Sequence, residues 1–269
     1  MSDSHFEVYE RSDGAVDLQD SVVCFLDVLG ISDFLVQHGQ LAAELLDRGL
    51  RRARGLESRP FAITAIHDSI TIAMRHQGPR QDFLDSFFFN IVQILQASLA
   101  VHAAPGMSGM FTRGYVTAGL HFQDAEFVGG PALATAVKAE ADKESPWRHR
   151  PVARLDPSMH AIIGPHDSPG QVARCDDGYF VNYIAGYCAT PATPAAAFAA
   201  PGGPWPDVVE GLIEHRELLA QNLSTAGETV IQKYDWLAGY HNAFCIAVGA
   251  PNETLVPDVE ADPSITFTW

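Results

Sequence analysis

The sequence predicts a mixed α/β fold of the α+β kind, and three observations carry that expectation. Short apolar runs rich in Val, Ile, Phe and Thr alternate with longer segments whose apolar residues recur every three to four positions. Two of the short runs, 61–66 and 69–74, are separated only by His67 and Asp68, which is hairpin spacing. The 269 residues are 47% apolar, enough for one large domain with a real core or one domain with an appendage.

Taken in order, residues 21–28 read as a strand, and their nearly continuous apolar character suits a central one. Gly30 breaks it, and Ser32 is the expected N-cap of a helix running to residue 57, with Phe34, Leu35, Leu41, Leu45, Leu46 and Leu50 on its apolar side. The hairpin over 61–74 follows. Residues 80–103 form the next expected helix, because Phe83, Phe87, Ile91, Leu95 and Leu99 fall every four residues, and Pro105 and Gly106 end it. Residues 111–122, "FTRGYVTAGLHF", read as a strand. The order β-α-β-β-α-β is the ferredoxin-like split βαβ arrangement.

Beyond it, "GPALATAVKAEADKE" at 130–144 opens with Gly-Pro, the start of a helix with proline at its first position. "VARL", "HAIIG" and "GYFVNYIA" (178–185) read as strands. An Ala-, Pro- and Gly-rich loop is expected over 188–206, then helices over 207–223 and 227–248, then an acidic, proline-dotted tail that reads as loose. The expected organisation is therefore a main unit over 1–187, the loop, a helical appendage within 207–250, and the tail over 251–269.

The formal charge of −16, from 33 acids against 17 Lys and Arg, argues against nucleic acid or an anionic membrane as partner. An anionic substrate would need local cations or metal ions. Cys24, Cys175, Cys188 and Cys245 stand alone without a C-x-x-C pair, as reduced core thiols of a cytoplasmic protein do. The polar start "MSDSHFEVYERSDG" holds no signal core, and no uncharged apolar run reaches the ~20 residues of a membrane span. The 11 histidines lack ligand spacing, and neither a Walker glycine-lysine pattern nor a G-x-S-x-G elbow is present.

Two acids stand out. Asp27 lies at the end of the first apolar strand, in "VVCFLDVLGISDF", and Asp68 splits the hairpin in "FAITAIHDSITIAM". Alone, each reads more readily as a cap or turn residue. Together they lie where a ferredoxin-like sheet can bring the end of strand one beside the hairpin. Two carboxylates that close repel unless a cation lies between them. Hard divalent ions held by acids are a standard device for in-line phosphoryl chemistry.

"FLDVLGISDF" resembles the metal-binding opening of class III nucleotidyl cyclases, and "AIHDSITIA" is similar to their hairpin with the second metal acid. "TRGYVTAG" (112–119) looks like their next core strand, and "GPALATAVKAE" falls where they have a dimer-interface helix. The similarity spans roughly residues 20–185. Within that superfamily, "GPALATAVKAE", the "RPVARL" strand entry, "DDGYFVNYI" and "KYDWLAGYHNAF" look closest to the bacterial Pycsar pyrimidine cyclases of antiphage defence.

The resemblance implies a homodimer with active sites at the interface, using two Mn²⁺ or Mg²⁺ ions per site. It implies conversion of a nucleoside triphosphate to a 3′,5′-cyclic nucleotide and pyrophosphate, the product being read by a separate effector. Carried over, Asp27 and Asp68 hold both metals, the Val28 carbonyl completes one shell, and the backbone of Leu29, Gly30, Ile31 and Ser32 lies near the β- and γ-phosphates. The chain departs from the purine cyclases at four positions. Their interface Asn and Arg are Ala134 and Lys138 here, their purine-reading Lys is Thr64, and their adenine-reading Asp falls about at Phe127. Lys138 keeps the charge without the bidentate fork. A smaller base is expected, UTP before CTP. A reading of another class is a catalytically silent, nucleotide-binding sensor.

Arg113 is a candidate phosphate or base contact that could equally pair with an acid on the sheet, with Lys143 and Arg174 as further cations and His67 as a weaker metal ligand. The aromatics of "WLAGYHNAF" have the spacing of packing residues.

Overall fold

The structure, a computed structural model, describes residues 9, 11, 13–54, 61–75, 81–101, 110–124, 126–161, 170–188 and 206–267. Strand β1 (Gln19–Val28) passes through Leu29 and Gly30 into helix α1 (Ile31–Arg54). Strands β2 (Phe61–Ile66) and β3 (Ser69–Arg75) form the hairpin, and helix α2 (Gln81–Val101) and strand β4 (Thr112–Gln123) complete the unit. These four strands lie in the order β2-β3-β1-β4 with every neighbour antiparallel. That is the ferredoxin-like arrangement the sequence predicts.

The sheet then continues. Strand β5 (Val128–Gly129) pairs with β4 at its far end, and helix α3 (Pro131–Glu140) follows. Strand β6 (Ala153–Leu155) runs parallel to β4 on its free side, and β8 (Gly178–Val181), β7 (Val172–Cys175) and β9 (Thr266–Phe267) extend the sheet from there. Helices α4 (Pro206–Thr225) and α5 (Glu228–Val248) precede β9 in the chain.

Strand β1 is covered on both faces, which is why it reads as almost unbroken hydrophobe. Val22, Cys24, Leu26 and Val28 pack with residues of α1 and α2, among them Leu45, Ile91 and Leu95. By the two-residue alternation of a strand, Val23 and Asp27 point the other way, where Val23 packs with Ala132 of α3 and with Tyr9. A second cluster joins Phe111, Trp147, Val152 and Phe180 to Leu212, Leu237, Phe244 and Val256. Helix α2 touches both clusters, through Ile91 and Leu95 on one side and Ala97 and Ala100 on the other. The described free cysteines, Cys24, Cys175 and Cys245, are buried. Among the described residues no helix is long and apolar enough to cross a membrane.

Several boundaries differ from the sequence reading. Helix α1 opens at Ile31, not after a Ser32 cap: Gly30 turns the chain at φ 73° and Ile31 drops fully into the core. The expected 130–144 helix stops at Glu140, and Ser145 caps a separate short turn over Pro146–His149. "HAIIG" is not a strand at its start. Asp156 accepts the Ser158 N–H at 2.8 Å and winds Pro157–Ala161 into a 3-10 turn. The strand expected over 178–185 ends at Val181: Asn182 still donates its N–H to the Gln171 carbonyl at 2.8 Å, but its own carbonyl accepts the Gln93 side chain at 2.6 Å and the chain winds into a 3-10 turn over Tyr183–Cys188. The C-terminal tail is docked: Thr254, Val256 and Ile265 are buried and β9 pairs with β7. The ends expected near 57 and 103, Pro105 and Gly106, the side chains of Phe34, Phe83, Phe87 and Cys188, and positions 162–164 and 189–205 lie outside the described residues.

Candidate functional site

The two acids meet at the end of β1. Asp27 pairs in register with Ser69 of β3 on one side and Arg113 of β4 on the other. One residue on, the Val28 N–H donates to the Asp68 carbonyl at 2.8 Å, so the hairpin turn closes directly against the strand end. His67 makes that turn tight, holding φ 57° in the left-handed region. Ser69 donates its hydroxyl to the Asp68 carboxylate at 3.2 Å. Asp27 and Asp68 are both half-buried.

Arg113 is fixed beside them. Its Nη2 lies 3.7 Å from the Asp27 carboxylate. Its Nε and Nη2 both pair with Glu140 at the end of α3, and its Nη1 donates to the Arg148 carbonyl at 3.2 Å. Of the two readings of Arg113, the structure shows the pairing with an acid. Burial pushes the Asp27 carboxyl up to about 6; repulsion from Glu140 and Asp68 adds to this, and attraction to Arg113 and Lys233 opposes it. Burial also lowers the Lys233 ammonium, as do Arg113 and Arg148 beside it, while Asp27 and Glu140 pull the other way. The strand end thus gathers three acids, Asp27, Asp68 and Glu140, and three cations, Arg113, Arg148 and Lys233.

Sequence reading missed Glu140, Arg148 and Lys233. Lys233 had one signal, its place in "KYDWLAGYHNAF" three, four and seven residues before Trp236, Leu237 and Tyr240.

The other expected residues are placed as follows. Leu29 donates its N–H to the Phe111 carbonyl at 2.9 Å, Gly30 and Ser32 are exposed at the start of α1, and Ile31 is buried. Thr64 lies two strands from β1, in register with Thr71, which is itself in register with Phe25. The Thr64 hydroxyl accepts from Gln123 at 2.9 Å. Phe127 is 43% exposed beside Phe122. Lys138 is exposed on α3 and forms no hydrogen bond or ion pair with a described residue. Lys143 is exposed, and the Arg174 guanidinium lies over the Tyr179 ring at 5.6 Å. The structure therefore brings Asp27, Val28, Leu29, Asp68 and Arg113 together. It does not bring Lys138 into contact with them within one chain.

The donor chemistry suits a hard divalent ion. Asp27 and Asp68 are oxygen donors in mutual repulsion, which a cation would relieve. Glu140 is taken up by Arg113, and among the described residues no three His, Cys, Asp or Glu are placed to hold one metal ion together, so a backbone carbonyl, water or substrate oxygen would have to complete the shell. Neither a family model nor a curated protein matches the chain.

Proposed function

We propose that this chain is a divalent-metal-dependent nucleotide cyclase of the class III kind, closest in pattern to the Pycsar pyrimidine cyclases. It would convert UTP to 3′,5′-cyclic UMP and pyrophosphate as a cytoplasmic homodimer, making an antiphage signal for a separate effector. The observation that carries this reading is the closure of the hairpin on β1. A ferredoxin-like sheet sets Asp68 against Val28, next to Asp27, and these are the two positions the resemblance makes metal ligands.

Asp27, Asp68 and the Val28 carbonyl would hold the Mn²⁺ or Mg²⁺ ions, whose chemistry when bound is to acidify the 3′-hydroxyl and neutralise the pyrophosphate. The chain's own residues do the positioning. Glu140 and the Arg148 carbonyl hold Arg113, and Arg113 in turn steadies Asp27. The turn from Leu29 to Ser32 would carry the phosphates, and the exposed Lys138 is free to reach the site of a second copy. In the reaction the 3′-oxygen would bond to the α-phosphorus, the bond from that phosphorus to the α–β bridging oxygen would break, pyrophosphate would leave with that oxygen, and the hydroxyl proton would pass to solvent water. A threonine at 64 and the exposed Phe127 ring in place of purine-reading charges support a pyrimidine, with CTP the alternative to UTP.

Purified protein incubated with Mn²⁺ and each of the four ribonucleoside triphosphates, followed by mass spectrometry, tests the reading. Cyclic UMP or cyclic CMP is expected. Asp27→Ala or Asp68→Ala should abolish turnover and leave the fold intact. A double variant that still cyclises would sink the mechanism. Nucleotide binding without product would favour the silent sensor.

A further inference from the structure

We propose that Lys233, on the last long helix, supplies the polyphosphate-binding cation of the Asp27–Asp68 site from within the same chain. This rests on the cyclase reading for its reaction but not for its ligand, which is a polyphosphate.

The packing of α5 puts Lys233 there. Tyr234 lies edge-on to Phe111 with ring centroids 5.7 Å apart, and the Phe111 carbonyl takes the Leu29 N–H. Leu29 itself packs against the cluster that α5 helps to build. The first turns of α5 therefore rest on the segment that leaves β1 just past Asp27. Lys233 shares a face of α5 with Leu237 and Tyr240, which are buried, and with Trp236, over which the Arg150 guanidinium sits. That face is turned to the protein, so the Lys233 ammonium is held near the strand end and not in open water.

The cations of the cluster are not equivalent. Arg113 spends its donors on Glu140 and the Arg148 carbonyl. Lys233 is half-buried and forms no hydrogen bond or salt bridge with a described residue, so its three N–H donors are uncommitted. Arg148 is exposed and Lys138 lies on the outer side of α3. A half-buried ammonium without a direct partner is costly unless an anion completes it. In a chain of net charge −16, a triphosphate needs such a local positive group to approach two aspartates.

The test is calorimetric titration of inorganic tripolyphosphate with Mn²⁺ into the wild-type chain, Lys233→Gln and Lys233→Arg, each checked by thermal melt. Lys233→Gln should weaken binding at least tenfold and Lys233→Arg should stay within threefold of wild type. Mass spectrometry after acetylation of the wild-type chain gives a second readout, independent of any variant: tripolyphosphate should protect Lys233 and leave Lys143 reactive. Wild-type affinity in Lys233→Gln, no binding by the wild type, or no protection of Lys233 overturns the proposal. Lys233-dependent binding without cyclic nucleotide would keep Lys233 and remove the cyclase reading. Cyclisation unchanged in Lys233→Gln, with unchanged binding, would do the reverse.

Discussion

A carboxylate with Asp68 and Glu140 for neighbours, and one guanidinium 3.7 Å away, is a destabilising group in the metal-free protein. Burial and the neighbouring acids lift Asp27 from 3.8 to about 6. The folded value lies above the unfolded one, so the stability Asp27 contributes is fully present below pH 3.8 and lost as the pH rises through 6. At neutral pH the cost is about 1–3 kcal/mol, the lower end allowing for a side chain that keeps some contact with water. Asp27→Asn should therefore raise the melting temperature in chelator by a few degrees while removing turnover. Mn²⁺ should stabilise the wild type and not this variant. A melting point below wild type in chelator would show that Asp27 is a structural acid. Asp27 and Asp68 were legible in the sequence only as a pair: each alone reads as a cap or turn residue, and the βαββαβ order sets the end of the first strand beside the hairpin. Lys233 was not, since its helix reads as ordinary core packing and its nearness to Asp27 joins segments about two hundred residues apart.

At the level of elements the site depends on how closely β1 and β4 run. Gly114 pairs with Leu26, one step from the Asp27–Arg113 pair. A methyl group at Gly114 would sit 2.2 Å from the Phe25 carbonyl oxygen, so backbone would have to yield. Gly114→Ala should cost about 1–3 kcal/mol, as overpacking does, and should lower activity with it because Arg113 is displaced relative to Asp27. Gly49→Ala in α1 is the comparison: its methyl group meets the end of the Leu99 side chain, which can move, and helix propensity partly offsets the crowding. Thermal melts of the two variants check this, and equal losses would mean that the strand spacing is not limiting. Strand β1, the hairpin and helices α2 and α5 were legible because their periodicity is their own. Strands β5 and β9 have two residues each, too few to show a period. At the end of β8 the Asn182 carbonyl is taken by Gln93 of α2, a partner that no local pattern contains.

Across the whole molecule, the C-terminal helices that read as an appendage share one core with the second half of the sheet. A chain of hydrogen bonds runs through that core. The His241 Nε2–H donates to the Thr254 carbonyl at 2.8 Å, which leaves His241 Nδ1 to accept from His215 Nδ1–H at 2.9 Å. His215 Nε2 then accepts the Tyr183 hydroxyl at 2.9 Å. Every donor is used with both rings neutral, and both rings are fully buried. Burial holds His241 down at about 4, and burial together with its neighbour holds His215 well below the usual histidine range. The folded values lie below the unfolded ones, so this stability is complete above pH 6.5 and drains away as the pH falls. Between pH 7 and 5 the loss is about 2 kcal/mol for His241, and His215 adds to it in the same sense. Asp27 acts in the opposite sense over the same range and returns at most about 1 kcal/mol. The net expectation is a loss of at least about 1 kcal/mol at pH 5, measured by denaturant unfolding in chelator at the two pH values. Asp27→Asn removes the opposing contribution, so its loss on acidification should be steeper than wild type, whereas His241→Gln should make it shallower. Equal slopes in all three proteins would mean that neither the buried histidines nor Asp27 governs the acid response.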